Sequence, residues 1–134
     1  MPKCFAVFFA AALLTLTTHA QASVQAAEAA ALAWLTKVDN SQYEEAWEAA
    51  SPLLRTPLSP AMLQRVISLS RQDLGALQSR NRIRVSQYTS MPGAPAGDFK
   101  ILTFRSRFEN QSRLEVVTPH LENGEWRVSG YYME

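Results

Sequence analysis

The spacing of apolar residues changes along the chain from a helical repeat to a strand repeat, and this change decides the fold class. From Ser23 to Leu74, apolar residues recur at intervals of three and four, which is the repeat of an amphipathic helix. From Leu77 onward they alternate with polar residues, which is the repeat of a half-buried strand. Helices followed by consecutive strands predict an α+β domain.

The first half predicts about three helices. Ser41 and Glu44 have the spacing of a capping box, which would open the second helix. Ser59 followed by Pro60 is typical of the start of a third helix, for which Gly75 would be the C-cap. The positions that we expect to face the core are Val24, Ala27, Ala31, Trp34, Leu35, Val38, Tyr43, Ala46, Trp47, Ala50, Leu63, Val66, Ile67 and Leu74.

Four strands follow, and short connections join them. The proline- and glycine-rich segment Met91–Gly97 predicts a loop, and Asn123-Gly124 is the sequence that a type I′ hairpin turn favours. We therefore expect a four-stranded antiparallel meander with the helices packed on one face. The strands are predicted around Arg82–Ser86, Phe99–Phe104, Leu114–Thr118 and Trp126–Tyr131.

Residues 1–22 have the pattern of a cleavable signal peptide. Lys3 is the positive start, an apolar run follows, and Ala20-Gln21-Ala22 is a small-x-small cleavage site. We predict cleavage between Ala22 and Ser23, with cleavage after Ala20 as the alternative. The apolar run is shorter than the roughly 20 residues that a membrane span needs. The sequence thus predicts a periplasmic or secreted protein without a stable membrane span, whose single α+β domain is residues 23–134.

Removing this leader changes the chemistry that the chain offers. Cys4 is its one cysteine, so the mature protein would have neither a disulfide nor a thiolate nucleophile. Loss of Lys3 leaves 13 − 1 = 12 lysines and arginines against 12 acidic residues. An exported domain without net positive charge has no general attraction for nucleic acid, so we expect no nucleic-acid partner. We expect a monomer or a weak dimer.

Several short motifs resemble one bacterial family, which is catalogued as domain of unknown function 4019. The resemblance covers essentially all of residues 23–134 and implies an exported bacterial domain, but no reaction. The order of elements is also similar to cystatin-like and nuclear-transport-factor-two-like rolls, a likeness of fold alone. The motifs are Trp34-Leu35 with Asp39, Tyr43, Trp47–Ser51, Leu74-Gly75, Arg80, Met91–Pro95, Glu115–Thr118 and Trp126–Tyr131, of which the last is the most specific.

No known catalytic signature occurs in the sequence, and we predict no catalytic, cofactor-binding or metal-binding residues. His120 is the one histidine after the leader. It follows Pro119 beside a hairpin turn, where an exposed histidine is ordinary, so we favour that interpretation over general acid–base catalysis. A metal site would need further ligands from carboxylates alone, and no spacing suggests one.

Two carboxylates are of interest. Asp39 either faces a pocket lined by Trp34 and Tyr43 or only ends the first helix. Glu115 lies in the middle of an apolar strand, where a cross-strand ion pair is favoured over a catalytic role. The arginines that we consider as its partners are Arg105, Arg107 and Arg127.

The arginines of the first two strands repeat at every second position. Arg80, Arg82 and Arg84 would share one face of the first strand, and Arg105 and Arg107 one face of the second. If those faces coincide, they form a basic stripe suited to a small anionic ligand. We favour the alternative, a solvated outer face whose charges nearby acids balance.

Two functions remain open. The first is a non-enzymatic binding or interaction module, with an envelope protein or a small anionic ligand as partner. The second is a small roll-fold enzyme that uses Glu115 or Asp39 as general base. The aromatic residues either line a cavity or fill the core. The candidates for contact with a ligand are Tyr43, Trp47, Arg80 and Glu115.

The leader gives a direct prediction. N-terminal sequencing of the protein recovered from the envelope or the medium should find Ser23 first, or Gln21 if the alternative site is used, because signal peptidase cuts after the small-x-small motif. An intact Met1 would contradict the prediction of export.

Overall fold

The computed structural model describes residues 11–134, with side chains from Ser23 onward. The predicted leader and its cleavage after Ala22 lie outside the residues whose side chains are described. In the described residues, four helices precede four strands, and none of these helices has the length and apolar character to cross a membrane. The elements are α1 (Ala11–Asp39), α2 (Tyr43–Ala49), α3 (Pro52–Arg55), α4 (Pro60–Ser70), β1 (Leu77–Tyr88), β2 (Phe99–Phe108), β3 (Ser112–Glu122) and β4 (Glu125–Met133).

The α+β prediction is confirmed. The strands form one antiparallel sheet in the order β1-β2-β3-β4, so each strand pairs with its neighbours in the sequence. One helix more than expected is found, because α3 is a single turn between the two proline breaks. It begins where the Ser51 hydroxyl accepts from the backbone N–H of Leu53 and Pro52 takes the first helical position. The likeness to cystatin-like and nuclear-transport-factor-two-like rolls stays a prediction.

The core lies between α1 and the sheet. The apolar stripe of α1 is buried there from Ala27 to Val38, as its spacing predicts, whereas Val24 at its start is only half-buried. It packs together with Ala46 of α2 and with Leu102 and Val117 from the middle strands. The indole N–H of Trp34 donates to the Ala46 carbonyl at 2.8 Å, which ties α2 to α1. The buried stripe consists of Ala27, Ala31, Trp34, Leu35 and Val38.

Cap residues predicted the starts of two helices, and the structure confirms one of these two predictions. Ser59 caps α4 as expected, since its hydroxyl accepts from the Met62 N–H at 3.1 Å. The capping box at Ser41 is wrong. The residue before α2 is Gln42, no side-chain hydrogen bond caps that helix, and Ser41 has a φ of 59°. Ser41 therefore makes the turn between α1 and α2 instead of capping α2.

Helix α4 ends earlier than predicted. Its last residue is Ser70, so Gly75 is not its C-cap but lies in the connection to β1, where it has a φ of 78°. Leu63 and Ile67 face the core as expected. Val66 does not, because it is 46% exposed.

A bulge in β1 changes the faces of its arginines. Arg82 pairs with Phe104 and Arg84 pairs with Thr103, so Ile83 is an extra residue on β1. Since side chains alternate along β2, Phe104 and Thr103 lie on opposite faces of the sheet. Arg82 therefore faces the helices, and Arg84 lies on the opposite face, which we call the helix-free face.

The prediction that Arg80, Arg82 and Arg84 share a face is accordingly wrong. Arg80 pairs with Ser106 and so faces the helices, as Arg82 does. Arg105 and Arg107 alternate with Ser106 and lie on the helix-free face. The five arginines are thus divided between the two faces, and Arg84 joins those of β2.

Candidate functional site: a buried ion network beside a cavity

Glu115 of β3 lies at the centre of a network of charged and hydroxyl side chains. It is 0% exposed, although it is charged. Its Oε1 accepts from Arg80 at 2.7 Å and from the Ser106 hydroxyl, and its Oε2 accepts from Arg71 at 2.9 Å and from the Tyr131 hydroxyl. Both carboxylate oxygens are therefore fully engaged.

Asp39, the last residue of α1, is the second acid of the network. Its Oδ1 accepts from Arg71 Nη1 at 2.7 Å and from Arg80 Nη2 at 3.0 Å, and its Oδ2 accepts from Arg80 Nη1 at 2.8 Å. Each arginine thus bonds to both carboxylates. Two positive and two negative groups form a closed, neutral set.

The fold brings these groups together from six parts of the chain, with Asp39 at the end of α1 and Tyr131 in β4. Arg71 directly follows α4, and pairing with Ser106 puts Arg80 on the helix-facing side of β1. In β2 and β3, Ser106 and Glu115 lie on that same side, because Phe104 pairs directly with Glu115. The network therefore joins the helical half of the chain to the sheet.

The arginines hold both acids in the charged form. Burial alone would raise the pKa of Asp39, but hydrogen bonds from Arg80 and Arg71 and the charges of those two arginines outweigh it, so the pKa is lowered. Burial also opposes the charge on Glu115. The Arg80 charge, hydrogen bonds from Ser106 and Tyr131, and the Arg71 charge outweigh burial there, and the pKa of Glu115 is lowered too.

The donors of the network keep their protons. Burial and the negative charge of Glu115 raise the pKa of Tyr131, so its hydroxyl donates to Glu115 across the physiological pH range. Burial would lower the pKa of Arg71, but the surrounding acidic groups raise it. No protonation change within the network is therefore expected near neutral pH.

The network lacks the features of an acid–base catalyst. A general base works best with a pKa near the operating pH and must reach the proton that it takes. Glu115 has a lowered pKa, no exposed surface and no free oxygen. In the described part of the chain, no three His, Cys, Asp or Glu side chains are grouped so that they could hold a metal ion.

A cavity of about 460 Å³ adjoins the network. Asp39 and Arg71 belong both to its wall and to the network. The loop after α1 contributes amide and hydroxyl groups to the wall, and the start of β1 contributes apolar groups. The lining residues are Val38, Asp39, Asn40, Ser41, Tyr43, Arg71, Gly75, Ala76, Leu77 and Phe108.

The structure brings together only some of the candidate ligand residues. Arg80 and Glu115 meet in the network, and Tyr43 lies in the cavity wall beside Asp39. Trp47 lies elsewhere: its indole N–H donates to the Leu58 carbonyl at 2.6 Å. The pocket proposed for Asp39 exists and includes Tyr43. Trp34 does not line this cavity. The Trp34 ring packs against the Tyr131 ring instead, with their centroids 5.3 Å apart.

The partners predicted for Glu115 are wrong. Arg105 and Arg107 lie on the opposite face of the sheet, and Arg127 pairs with Glu125 at 2.9 Å. The sequence analysis missed Arg71, Ser106 and Tyr131. The one available signal was the acid itself, since a charge in an apolar strand needs a partner on the buried side.

His120 also differs from its prediction. It is 7% exposed rather than at the surface, and its ring stacks on Phe99 with centroids 4.1 Å apart. Its Nδ1 lies 3.3 Å from a carboxylate oxygen of Glu122. Gly97 of the loop before β2 lies so close to the His120 ring that a β-carbon there would come within 2.8 Å of Nε2. The loop covers the histidine, which explains its burial.

The network predicts a large effect of Glu115→Gln on stability. Loss of this charge leaves two buried arginines with one carboxylate, and breaking a buried pair costs about 3–5 kcal/mol. Urea denaturation should show that loss in the free energy of unfolding. Glu125→Gln is the matched control, because its pair with Arg127 is at the surface, where such pairs contribute roughly 0–1 kcal/mol.

Ser106→Ala gives a milder test if Glu115→Gln does not fold. Removal of one hydroxyl donor from a buried carboxylate should cost about 1–3 kcal/mol. Stability equal to the wild type in both variants would contradict the structural role of the network.

The lowered pKa values of Asp39 and Glu115 predict loss of stability in acid. An acid whose pKa is lower in the folded state contributes stability above its unfolded pKa, about 4, and loses that contribution as the pH falls through the folded pKa. The free energy of unfolding should therefore stay constant from neutral pH down to about pH 4 and decrease below it. Glu115→Gln should flatten this decline, whereas Glu48→Gln, an exposed position on α2, should leave it unchanged.

Comparison with known proteins gives a family but no relative of known activity. No curated protein and no solved structure matches the chain. The sequence profile of one family matches residues 30–131, and this range contains every residue of the ion network. The chain belongs to the family described as protein of unknown function (DUF4019).

Proposed function

We propose that this chain is an exported, non-enzymatic binding or interaction module, and that the cavity beside the ion network is a ligand site. The observation that supports this most is the state of the acids there. Asp39 and Glu115 are the carboxylates of the network, and two arginines neutralise both of them. The cavity wall therefore offers polar groups that can bind a ligand, but neither carboxylate is free to accept a proton from it.

The same observation weighs against the enzyme alternative. Glu115 is enclosed by four donors and has no route to a substrate. Asp39 is partly exposed at 18%, but its oxygens accept from both arginines and its pKa is lowered. A carboxylate in this state is a weak base at neutral pH.

The composition of the wall indicates the kind of ligand. Ligand sites in proteins commonly have volumes of about 300–1,000 Å³, and this cavity has about 460 Å³. Arg71 is the basic residue of its wall and Asp39 the acidic one, and Tyr43 and Ser41 add hydroxyl groups. A small neutral or zwitterionic molecule matches this balance better than an anion does.

The network also makes the wall rigid. Asp39 is at the end of α1 and Arg71 at the end of α4, and their direct contact fixes one helix end against the other. Groups that are already in place lose little conformational entropy when a ligand binds. The ion network therefore serves the site by positioning its polar groups.

Export is the other half of the proposal, and the leader supports it. Residues 1–22 combine a positive start, an apolar run and a small-x-small site. The ion network needs no disulfide, and the chain after the leader contains no cysteine. Such a domain folds in the same way in an oxidising compartment as in a reducing one.

Free amino acids provide the probe for the cavity, because they are small and zwitterionic. Saturation-transfer NMR with the purified protein should detect binding of at least one of them. Ala76→Trp, an exposed wall position outside the network, should weaken that binding at least tenfold by filling the cavity. Ala33→Trp, an exposed position on α1 away from the cavity, is the matched control and should bind as the wild type does. Equal binding to all three proteins, or none to the wild type, would contradict the proposed site.

A further inference from the structure

The two edges of the sheet differ in accessibility. At the β4 edge, α3 packs against the strand and the Ser51 N–H donates to the Val128 carbonyl at 2.8 Å. On the outer side of β1, no strand of residues 11–134 is found, and nine of the twelve residues of β1 are exposed. An open edge presents unpaired backbone N–H and C=O groups to which another extended chain can bond.

The helix-free face beside this edge is basic. The bulge at Ile83 brings Arg84 onto the face that Arg105 and Arg107 occupy. The β1 residues opposite those two arginines are Asn81 and Ser79. Their side chains are short, so the longer arginines of β2 can extend over β1 towards its open edge.

Among the residues whose side chains the structure describes, these three arginines have no acidic partner. Arg80 and Arg82 of β1 are both paired with acids, but no carboxylate of the described residues lies within ion-pair distance of Arg84, Arg105 or Arg107. Glu134 shares their face, next to Leu114. It lies two strands from Arg105, about 10 Å at the usual strand spacing, and the Leu114 side chain lies between them. A strand added outside β1 would be equally far from β2, but only the short side chains of Asn81 and Ser79 lie in between. The positive charge here is therefore available to a partner.

We propose that the open edge of β1 binds an acidic, extended segment of a partner protein, which adds to the sheet as a fifth strand. This inference rests on the proposed function as an interaction module and identifies the chemistry of its partner. The backbone of the segment pairs with β1, and its alternate side chains are carboxylates that meet Arg84, Arg105 and Arg107. Strand addition of this kind takes affinity from backbone hydrogen bonds and specificity from alternate side chains.

The dimensions fit such a segment. Side chains on one face of a strand repeat at about 6.6–6.8 Å, so acids at every second position have the same spacing as Arg105 and Arg107. Residues 79–82 and 84–88 of β1 each pair with β2 without a register shift, so the added strand has a regular template on both sides of the bulge at Ile83. Exposed apolar side chains beside it, Val85 at 38% and Tyr88 at 47%, supply contact area.

A peptide matches this surface better than a membrane or a nucleic acid does. Lipid headgroups and phosphates would pair with the arginines, but they would leave the backbone groups of β1 unpaired. The mature chain also has no excess positive charge, since 12 basic residues face 12 acidic ones. A partner that uses both the backbone edge and the three arginines accounts for both features.

The test uses the purified protein and two labelled decapeptides, one alternating Glu with Val and one alternating Gln with Val. Fluorescence anisotropy should show at least tenfold tighter binding of the Glu peptide. The double variant Arg84→Glu, Arg107→Glu should lose at least tenfold of that affinity. Arg65→Glu, an exposed arginine on α4, is the matched control and should retain it. Hydrogen exchange of the β1 amides should slow when the Glu peptide binds, which pairing of charges alone would not cause.

Four outcomes would overturn the inference. They are equal binding of the two peptides, no effect of the double variant, unchanged exchange at β1, and arginine-dependent binding of phosphatidylglycerol vesicles without peptide binding. Ala76→Trp separates this inference from the cavity, because it should weaken amino-acid binding at least tenfold and leave peptide binding intact. If the wild type binds amino acids but neither peptide, the strand addition is rejected and the proposed cavity site stands.

Discussion

The burial of Glu115 is the constraint on which the rest of the structure depends. A carboxylate with no exposed surface has lost its hydration, and it is tolerated only where charged and hydrogen-bonding partners replace the water. Two of its partners, Arg71 and Arg80, come from chain segments on either side of the connection between α4 and β1. Meeting this requirement brings the helical half of the chain against the sheet in one arrangement.

The same constraint determines the register of β1. Arg80 reaches Glu115 only from the helix-facing side, so the strand must place it there. The bulge then changes the face of the following residues and leaves Arg84 outside. One buried charge thus influences both surfaces of the sheet. Together with Asp39, Glu115 neutralises Arg71 and Arg80 on the side that packs on the helices, while the bulge leaves Arg84 on the helix-free face.

The parts of the structure that depend on a local repeat could be predicted from the sequence. The stripe of α1, the four strands and the start of α4 at Ser59 all follow from the spacing of apolar residues or from one cap residue. The capping box at Ser41 failed because its spacing was right but the backbone there takes a turn conformation. A motif of two residues does not fix the backbone angles between them.

The parts that depend on distant contacts could not be predicted. Arg71 is 44 residues from Glu115, and no local pattern distinguishes it from the other arginines. The bulge has no turn residue to mark it, so uniform alternation predicts Arg80, Arg82 and Arg84 on one face, which the structure contradicts. His120 is buried because a loop that begins some thirty residues earlier folds over it through Gly97. In each case a tertiary contact overrides a correct local pattern.

The net charge of the chain, only +1, conceals an uneven distribution of charge. Glu44, Glu45 and Glu48 are exposed on α2, whereas Arg84, Arg105 and Arg107 lie on the helix-free face. Electrostatic attraction within roughly 10 Å depends on the local charges and not on their sum. A chain that is nearly neutral as a whole can therefore discriminate strongly between partners at one face. The acids of the network neutralise Arg71 and Arg80, and Glu28 pairs with Arg82, so among the described residues the arginines of the helix-free face carry the positive charge beside β1 that no acid pairs with.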